Sequence, residues 1–518
     1  MTTSLGHDEV HRRRALALRL GGVDQVARQH AQGKLTARER IDLLADLGSL
    51  REFGILTGRS EYSPEGELRD FVPKGQVDGI VEIEARPAVV SAGDFTVRGG
   101  AGGVDAVGFG REPLPAERAL EMGVPLIRLL DASGGSVKSF LDLGRTYPPD
   151  GNTFVAPEVE LLQLAPVVSA VMGPVAGLPA VAACLGHFNV MVKETSQLFP
   201  GGPPVVKAAL GLDITKEELG GWRVHVHESG SVNNVAVDEH DALAQVRAFL
   251  SYLPTNVHTM PPRSAPRGPG TDPDTLRDVI PEDARTPFDP RAVIDAVVDE
   301  ATFFELSPAY GGSRVTGLAR VDGFPVGIMA NDPAVLGGST DTAAAMKTIR
   351  LIQICDQFHL PLVSLADEPG VLVGPDSERA GIEAAGARLV WSVCRSRMPW
   401  MTVVMGRLFG VGGQTHHRAS GMFRRIAWPT AQWGSMHISG GTYAAFRSQI
   451  ESAPDPEAEQ ARIEAQLRAV TSPFRTAEAT GQDIVDPAET RDLVVQFVRD
   501  AQLPLARQLG PSPTPFLP

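Results

Sequence analysis

A triplet that occurs twice restricts what this chain can fold into. Val171-Met172-Gly173 returns as Val404-Met405-Gly406, and four positions past each triplet stands a further glycine, Gly177 and Gly410. The first copy follows an apolar run, Leu164 to Met172, that reads as a buried strand stopping at Gly173. Residues 173–179 hold two glycines and two prolines, which rules out ordinary helix or ladder geometry there. A strand that breaks into such a turn, with small residues beyond, can aim unpaired backbone N–H groups at a ligand, which is how an oxyanion hole is built. One such run reads as a tight turn beneath a sheet. Two, each carrying its glycine at the same distance, read as one device used twice.

Other landmarks repeat in the same order. Val77-Asp78-Gly79 matches Val315-Thr316-Gly317, and Gly99-Gly100 matches Gly337-Gly338. Pro125-Leu126-Ile127 with Asp131 matches Pro361-Leu362-Val363 with Asp367. The spacing between copies drifts slowly, as expected of a duplicated domain whose second copy carries small deletions. The period is far too long for a solenoid. Each copy alternates short strands with helices, so the expected fold class is α/β, two tandem domains related by internal duplication. A chain of 518 residues needs more than one core. Eight prolines between Pro261 and Pro290 exclude a helix or a central strand and mark a connector. The expected division is therefore residues 1–260, a connector 261–290, and residues 291–518.

Composition narrows the function classes. A net charge of −14 argues against non-specific nucleic-acid binding. No apolar run has membrane-spanning length, and Ala15 to Leu20 is too short for a signal-peptide core, so the protein is expected in the cytoplasm. Cys184, Cys355 and Cys394 are far apart in apolar surroundings and read as buried free thiols. His416-His417, with His225 and His227, lack a third ligand at convincing spacing, so no metal site is expected; His416 and His417 are still placed to line a pocket. Ala345-Met346-Lys347-Thr348 only partly matches a biotin-attachment tetrapeptide and lies in a helical run. Residues 1–50 read as helical, with Arg38, Glu39, Arg40 and Asp42 on a surface helix that ends near Gly48. Arg424-Arg425 read as solvated or paired across a subunit contact.

Nearly the whole chain resembles the carboxyltransferase (β) subunit of biotin-dependent acyl-CoA carboxylases, the propionyl-CoA and methylcrotonyl-CoA carboxylase group. The resemblance is carried by Gly33-Lys34-Leu35-Thr36-Ala37-Arg38-Glu39-Arg40-Ile41-Asp42-Leu43-Leu44, by Asp94-Phe95-Thr96-Val97 with Gly99-Gly100, by Glu217-Glu218-Leu219-Gly220-Gly221, by Lys347 through Cys355, by Ala427-Trp428-Pro429, and by Asp486-Pro487-Ala488-Glu489-Thr490-Arg491. It implies two crotonase-like (ClpP/crotonase) domains and a hexamer of β-type subunits, homomeric or mixed. It implies carboxybiotin on a partner protein, either a biotinylated α subunit or a carrier protein with biotin carboxylase, and a coenzyme A thioester as substrate. Carboxyl transfer to the acyl α-carbon then needs no side-chain base, because the ureido anion left by CO2 release can take the α-proton. Two backbone holes would stabilise the thioester enolate and the ureido oxygen.

By position, the first hole falls on Gly177 and Leu178, and the second on Val411 and Gly412. The first is assigned to acyl-CoA and the second to biotin. Ser133, Gly134, Gly135, Gly202 and Pro203 are the implied acyl-CoA contacts. Phe409, Gly410 and Gln414 are the implied biotin or substrate pocket. The chain departs from the family at Leu178-Pro179, where Pro179 has no N–H, at Ser136 in place of an arginine, and at Pro369-Gly370-Val371. Two alternatives stand beside the carboxylase reading: a biotin-dependent decarboxylase or transcarboxylase subunit, and a non-catalytic paralogue in a mixed hexamer.

Overall fold

A computed structural model describes residues 3–100, 112–134, 140–141, 144–146, 148, 151–283, 286–418 and 420–518. The chain divides into two compact units, Met1–Val257 with Pro518, and His258–Leu517.

In the first unit the strands are β1 (Arg51–Phe53), β2 (Gly58–Tyr62), β3 (Leu68–Pro73), β4 (Gln76–Ile83), β5 (Arg86–Gly93), β6 (Leu126–Ala132), β7 (Val167–Ala176), β8 (Phe188–Val192), β9 (Gln197–Phe199) and β10 (Asn234–Ala236). They form a sheet in the order β1-β4-β5-β6-β7-β8-β10, with β9 paired to β7, and a separate β2-β3 ribbon. In the second unit they are β11 (Phe304–Glu305), β12 (Arg314–Val321), β13 (Phe324–Asn331), β14 (Leu362–Glu368), β15 (Trp400–Phe409), β16 (Phe423–Ala427), β17 (Gln432–Gly434) and β18 (Asp483–Ile484). Their order, β11-β12-β13-β14-β15-β16-β18 with β17 on β15, repeats the first sheet strand for strand. Each sheet is antiparallel at one edge and parallel from its third strand onward. Each breaks register at one place, between Leu130 and Ala132 and between Ala366 and Glu368.

The parallel strands carry continuous apolar runs because both faces are covered. Val167 to Met172 and Trp400 to Met405 are wholly buried. Gly79 and Gly317 occupy equivalent places opposite the edge strands. A Cβ at Gly79 would lie 2.5 Å from Leu50 Cδ1, and one at Gly317 would lie 2.6 Å from Phe304 O.

Three local expectations are corrected. The strand beginning near Leu164 does not stop at Gly173: β7 runs to Ala176. It changes partners on the way, pairing with β8 through Val171 and with β9 from Pro174 to Ala176. Pro174 therefore sits at the register break, where one ladder donor is dispensable. Helix Leu178–Cys184 follows at once, with Pro179 in its first turn, where a missing N–H costs nothing. Second, helix Ala37–Leu44 keeps Asp42 and Leu43 at the surface, but Arg40 is fully buried, with Ile41 and Leu44. Third, only Cys355 of the three cysteines is buried; Cys184 is half-buried and Cys394 exposed.

The described proline-rich residues, 261–283 and 286–290, fall within the second unit. Arg263 pairs with Asp322 at 2.8 Å, the Ser264 amide donates to Gly323 O at 3.0 Å, and Leu276 is buried.

Candidate active site at two strand-to-helix corners

Each unit has a corner where a central strand ends and a short helix begins: β7 into Leu178–Cys184, and β15 into Gly410–Gln414. Beneath each lies a buried aspartate from the neighbouring strand. In the first unit Asp131 Oδ2 receives Lys34 Nζ at 2.6 Å and Arg40 Nη2 at 3.1 Å. Arg40 also reaches Glu239, with Nε to Oε2 at 2.8 Å and Nη2 to Oε1 at 2.6 Å. In the second unit Asp367 accepts from the Arg407 amide at 2.7 Å and from its guanidinium at 2.9 and 2.6 Å. The repeated triplet glycines touch these carboxylates. A Cβ on Gly173 would stand 2.0 Å from Asp131 Oδ1, and one on Gly406 2.5 Å from Asp367 Oδ1. Val-Met-Gly therefore ends in glycine for one physical reason in both copies.

The predicted hole donors differ in availability. The Gly177 amide donates to Phe199 O at 3.1 Å and is not free to meet a ligand. Gly177 has φ 71°, which suits glycine. Leu178, at the first helical position, has an amide with no hydrogen-bond partner among the described residues, and Pro179 has none to offer. In the second corner the Val411 and Gly412 amides likewise have no partner among the described residues. Leu178 and Val411 both hold their apolar side chains in the open.

Of the remaining predicted residues, Ser133 is exposed and its amide is already bonded to Gly100 O at 3.2 Å. Gly134 has φ 77° and lies against Ala176 O, 2.6 Å from where a Cβ would stand. Gly135 lies outside the described residues. Gly202 and Pro203 open helix Pro203–Leu210. Gly410, Val411 and Gln414 line an open cavity of about 620 Å³, together with His417, Arg425 and Ser435. Phe409 is buried and packs edge-on against His437, 5.3 Å between ring centres.

Sequence reasoning missed what holds the second corner in place. Glu368, at the end of β14, is wholly buried beneath it. Its Oε2 receives Arg314 Nη2 at 2.6 Å, Thr340 Oγ1 at 2.6 Å and Asn331 Nδ2 at 3.0 Å. Its Oε1 receives the Gly370 amide at 3.1 Å and lies 2.8 Å from where a Gly412 Cβ would be. Burial would raise this carboxyl, but the Arg314 charge, His416 and the Thr340 hydrogen bond together outweigh it and hold it at about 2. His416, just past the corner helix, is wholly buried. Arg314 Nη1 lies 2.9 Å from its Nε2, and Ser364 Oγ 2.6 Å from its Nδ1. An arginine can only donate. Nε2 is therefore the bare nitrogen, and its 3.5 Å approach to Glu368 is a contact without a shared proton. Burial, reinforced by Arg314, depresses the His416 pKa. The signal for this cluster was an arginine opening one buried strand and a glutamate closing another.

The carboxyl transferase domain pattern matches residues 28–503. The chain belongs to the carboxyl transferase domain family. It is 34% identical over 498 residues to the carboxyltransferase subunit of propionyl-CoA carboxylase from Haloferax mediterranei, covering 95% of each chain. It is 35% identical over 524 residues to the beta5 subunit of a biotin-dependent acetyl-/propionyl-coenzyme A carboxylase from Mycobacterium tuberculosis, covering 97% of this chain and 93% of that one. Among solved structures it superposes on transcarboxylase 12S with a TM-score of 0.87 and 32% identity, covering 97% and 96% of the two chains. That protein is a hexameric multienzyme core solved with methylmalonyl-coenzyme A and methylmalonic acid bound. The two duplicated sheets are thus tandem crotonase-like domains, and the chain is an enzyme of carboxyl transfer in the acyl-CoA carboxylase group. No helix among the described residues is long and apolar enough to cross a membrane.

Proposed function

We propose that this chain is the carboxyltransferase subunit of an acyl-CoA carboxylase. It moves a carboxyl group from biotin carried on a partner protein to the α-carbon of an acyl-CoA, within a hexamer of β-type subunits. One observation supports this most directly: both units end a buried strand in a corner whose leading amides, Leu178 in one and Val411 with Gly412 in the other, have no hydrogen-bond partner among the described residues. Such amides cost no reorganisation when negative charge develops on an oxygen in front of them. Leu178 is the donor proposed for the thioester oxygen as the α-carbon loses its proton. Val411 and Gly412 are the donors proposed for the ureido oxygen.

The second corner is the proposed biotin site. Its cavity is lined by Gly410, Val411, Gly413 and Gln414, which leaves room for a planar ureido ring beside the Val411 amide. Carboxybiotin would supply the carboxyl group and, through its ureido nitrogen once CO2 has left, the base. Glu368 keeps the corner rigid from below, because Gly412 rests against it. The likeness to transcarboxylase 12S supports a second reading, in which the same residues transfer or remove a carboxyl group and the partner proteins decide the direction.

The test supplies the purified full chain with free biotin and malonyl-, methylmalonyl- and longer carboxyacyl-CoAs and follows decarboxylation. Turnover of at least one thioester is expected, and Val411→Pro, which deletes one proposed donor at a residue whose side chain is exposed, should lower it about 100- to 1000-fold without unfolding the protein. A correctly folded protein that turns over none of the panel would defeat this reading in favour of a structural paralogue.

A further inference from the structure

The duplication exposes a difference between the two corners. Ser169 on β7 pairs in register with Asn189 on β8, and the equivalent Thr402 on β15 pairs with Arg425 on β16. Asn189 is buried and fully committed to its own unit. Its Nδ2 donates to Ala183 O at 3.2 Å and Ser231 O at 2.9 Å, and its Oδ1 accepts the Asn233 amide at 2.8 Å. The first unit thus closes this position with a neutral side chain. The second unit places a cation there and leaves it open.

Arg425 is held but not neutralised. Its Nε donates to Gln482 Oε1 at 2.7 Å, and Gln482 Nε2 returns a bond to Arg425 O at 2.9 Å. This pair fixes the guanidinium by one edge. The two Nη groups have no partner among the described residues, and the side chain lines the second-unit cavity. The nearest acid on this edge, Asp483, lies 3.9 Å from Arg424 and pairs with that residue instead. Among the described residues no acidic side chain lines the cavity; its polar side chains include Gln414, His417, Arg425 and Ser435. Burial lowers the pKa of the Arg425 guanidinium with nothing to offset it. His417 alongside is kept neutral-leaning by its own burial and by the Arg425 charge. A half-buried guanidinium without a counter-ion is costly unless a ligand supplies one, and its planar fork of donors matches a carboxylate.

We propose that Arg425 makes this cavity a carboxylate receptor, gripping the anion through its two Nη groups beside Gln414 and His417. The proposal rests on the acyl-CoA reading above and adds the charge of what enters the second unit. Two sources share this chemistry: the carboxyl group being transferred, and a carboxylate at the far end of the acyl chain.

The experiment measures dissociation constants of the full chain, wild type, Arg425→Met and Arg425→Lys, for methylmalonyl-CoA, glutaryl-CoA and the neutral butyryl-CoA. Arg425→Met should weaken at least one carboxylated thioester by about tenfold or more and leave butyryl-CoA unchanged. Arg425→Lys should fall between, because a point charge replaces the fork. Loss confined to methylmalonyl-CoA identifies the transferred carboxyl group, and loss confined to glutaryl-CoA the chain-end carboxylate. Equal effects on charged and neutral thioesters would overturn the proposal. If no thioester binds at all, the acyl-CoA reading fails on its own. Malonate alone then decides: binding that disappears in Arg425→Met sustains the receptor, and binding that is unchanged or absent in wild type rejects it.

Discussion

Glycine at 173 and 406 is fixed by the carboxylate lying against it. An added methyl at Gly406 would meet Asp367 Oδ1 at 2.5 Å, and Asp367 is held on Arg407 by three bonds. Gly406→Ala should therefore destabilise the protein by about 1–3 kcal/mol, read from the denaturant midpoint at constant m-value. The pH dependence follows from the cluster below the second corner. His416 enters the fold neutral, with a pKa depressed from 6.5 by burial. Its contribution is full above about pH 6.5 and is lost as pH falls from there through the folded pKa. Glu368, lowered from 4.5 to about 2, adds a second loss between those two values, also on acidification. Stability should drop between pH 7 and pH 5, and His416→Gln should flatten that interval while leaving the drop below pH 4.5. An unchanged profile in the variant would show that another group titrates there; His417, whose pKa is also depressed by burial, is the alternative. The sequence singled out His416 as a pocket residue. It could not show that the ring faces Arg314 and Ser364, because those partners come from strands far away in the chain.

Between elements, the two copies clamp the same hairpin with the same residue type. Asp299 accepts the amides of Asp322 and Gly323 at the β12–β13 turn, at 3.1 and 2.7 Å. Asp46 accepts those of Glu84 and Ala85 at the β4–β5 turn, at 3.1 and 2.8 Å. Asp322-Gly323 announces such a turn in the sequence. Glu84-Ala85 does not, yet both residues adopt positive φ, 52° and 60°. The Asp46 carboxylate offsets that strain. Ala85→Gly should stabilise the protein by about 1 kcal/mol, seen as a raised melting temperature; a lower one would mean that the turn conformation costs nothing. Arg40 was misread as a surface charge because the acids that neutralise it, Asp131 and Glu239, are far off in sequence. The apolar run located β7 but not its ends: the strand outruns Gly173 because β9 takes over its edge, and no local signal reports a change of partner.

Across the whole molecule, duplication was the most readable property, since collinear landmarks survive where single residues do not. It predicts equal sheets, and the sheets are equal. It does not predict equal equipment. The first corner has committed its Gly177 amide to Phe199 and carries a proline at 179, so Leu178 is its remaining leading donor; the second keeps both Val411 and Gly412. If each corner stabilises one of the two oxyanions of a single transfer, neither can substitute for the other. Leu178→Pro tests this cleanly. It deletes one N–H at the first helical position, where proline is already suited to the backbone. Net carboxyl transfer should fall about 100- to 1000-fold, the same order as for Val411→Pro, with thioester binding and the unfolding midpoint retained. A Leu178→Pro protein that transfers carboxyl groups at the wild-type rate would remove the first corner from the reaction and leave only the second unit's amides to act on charge.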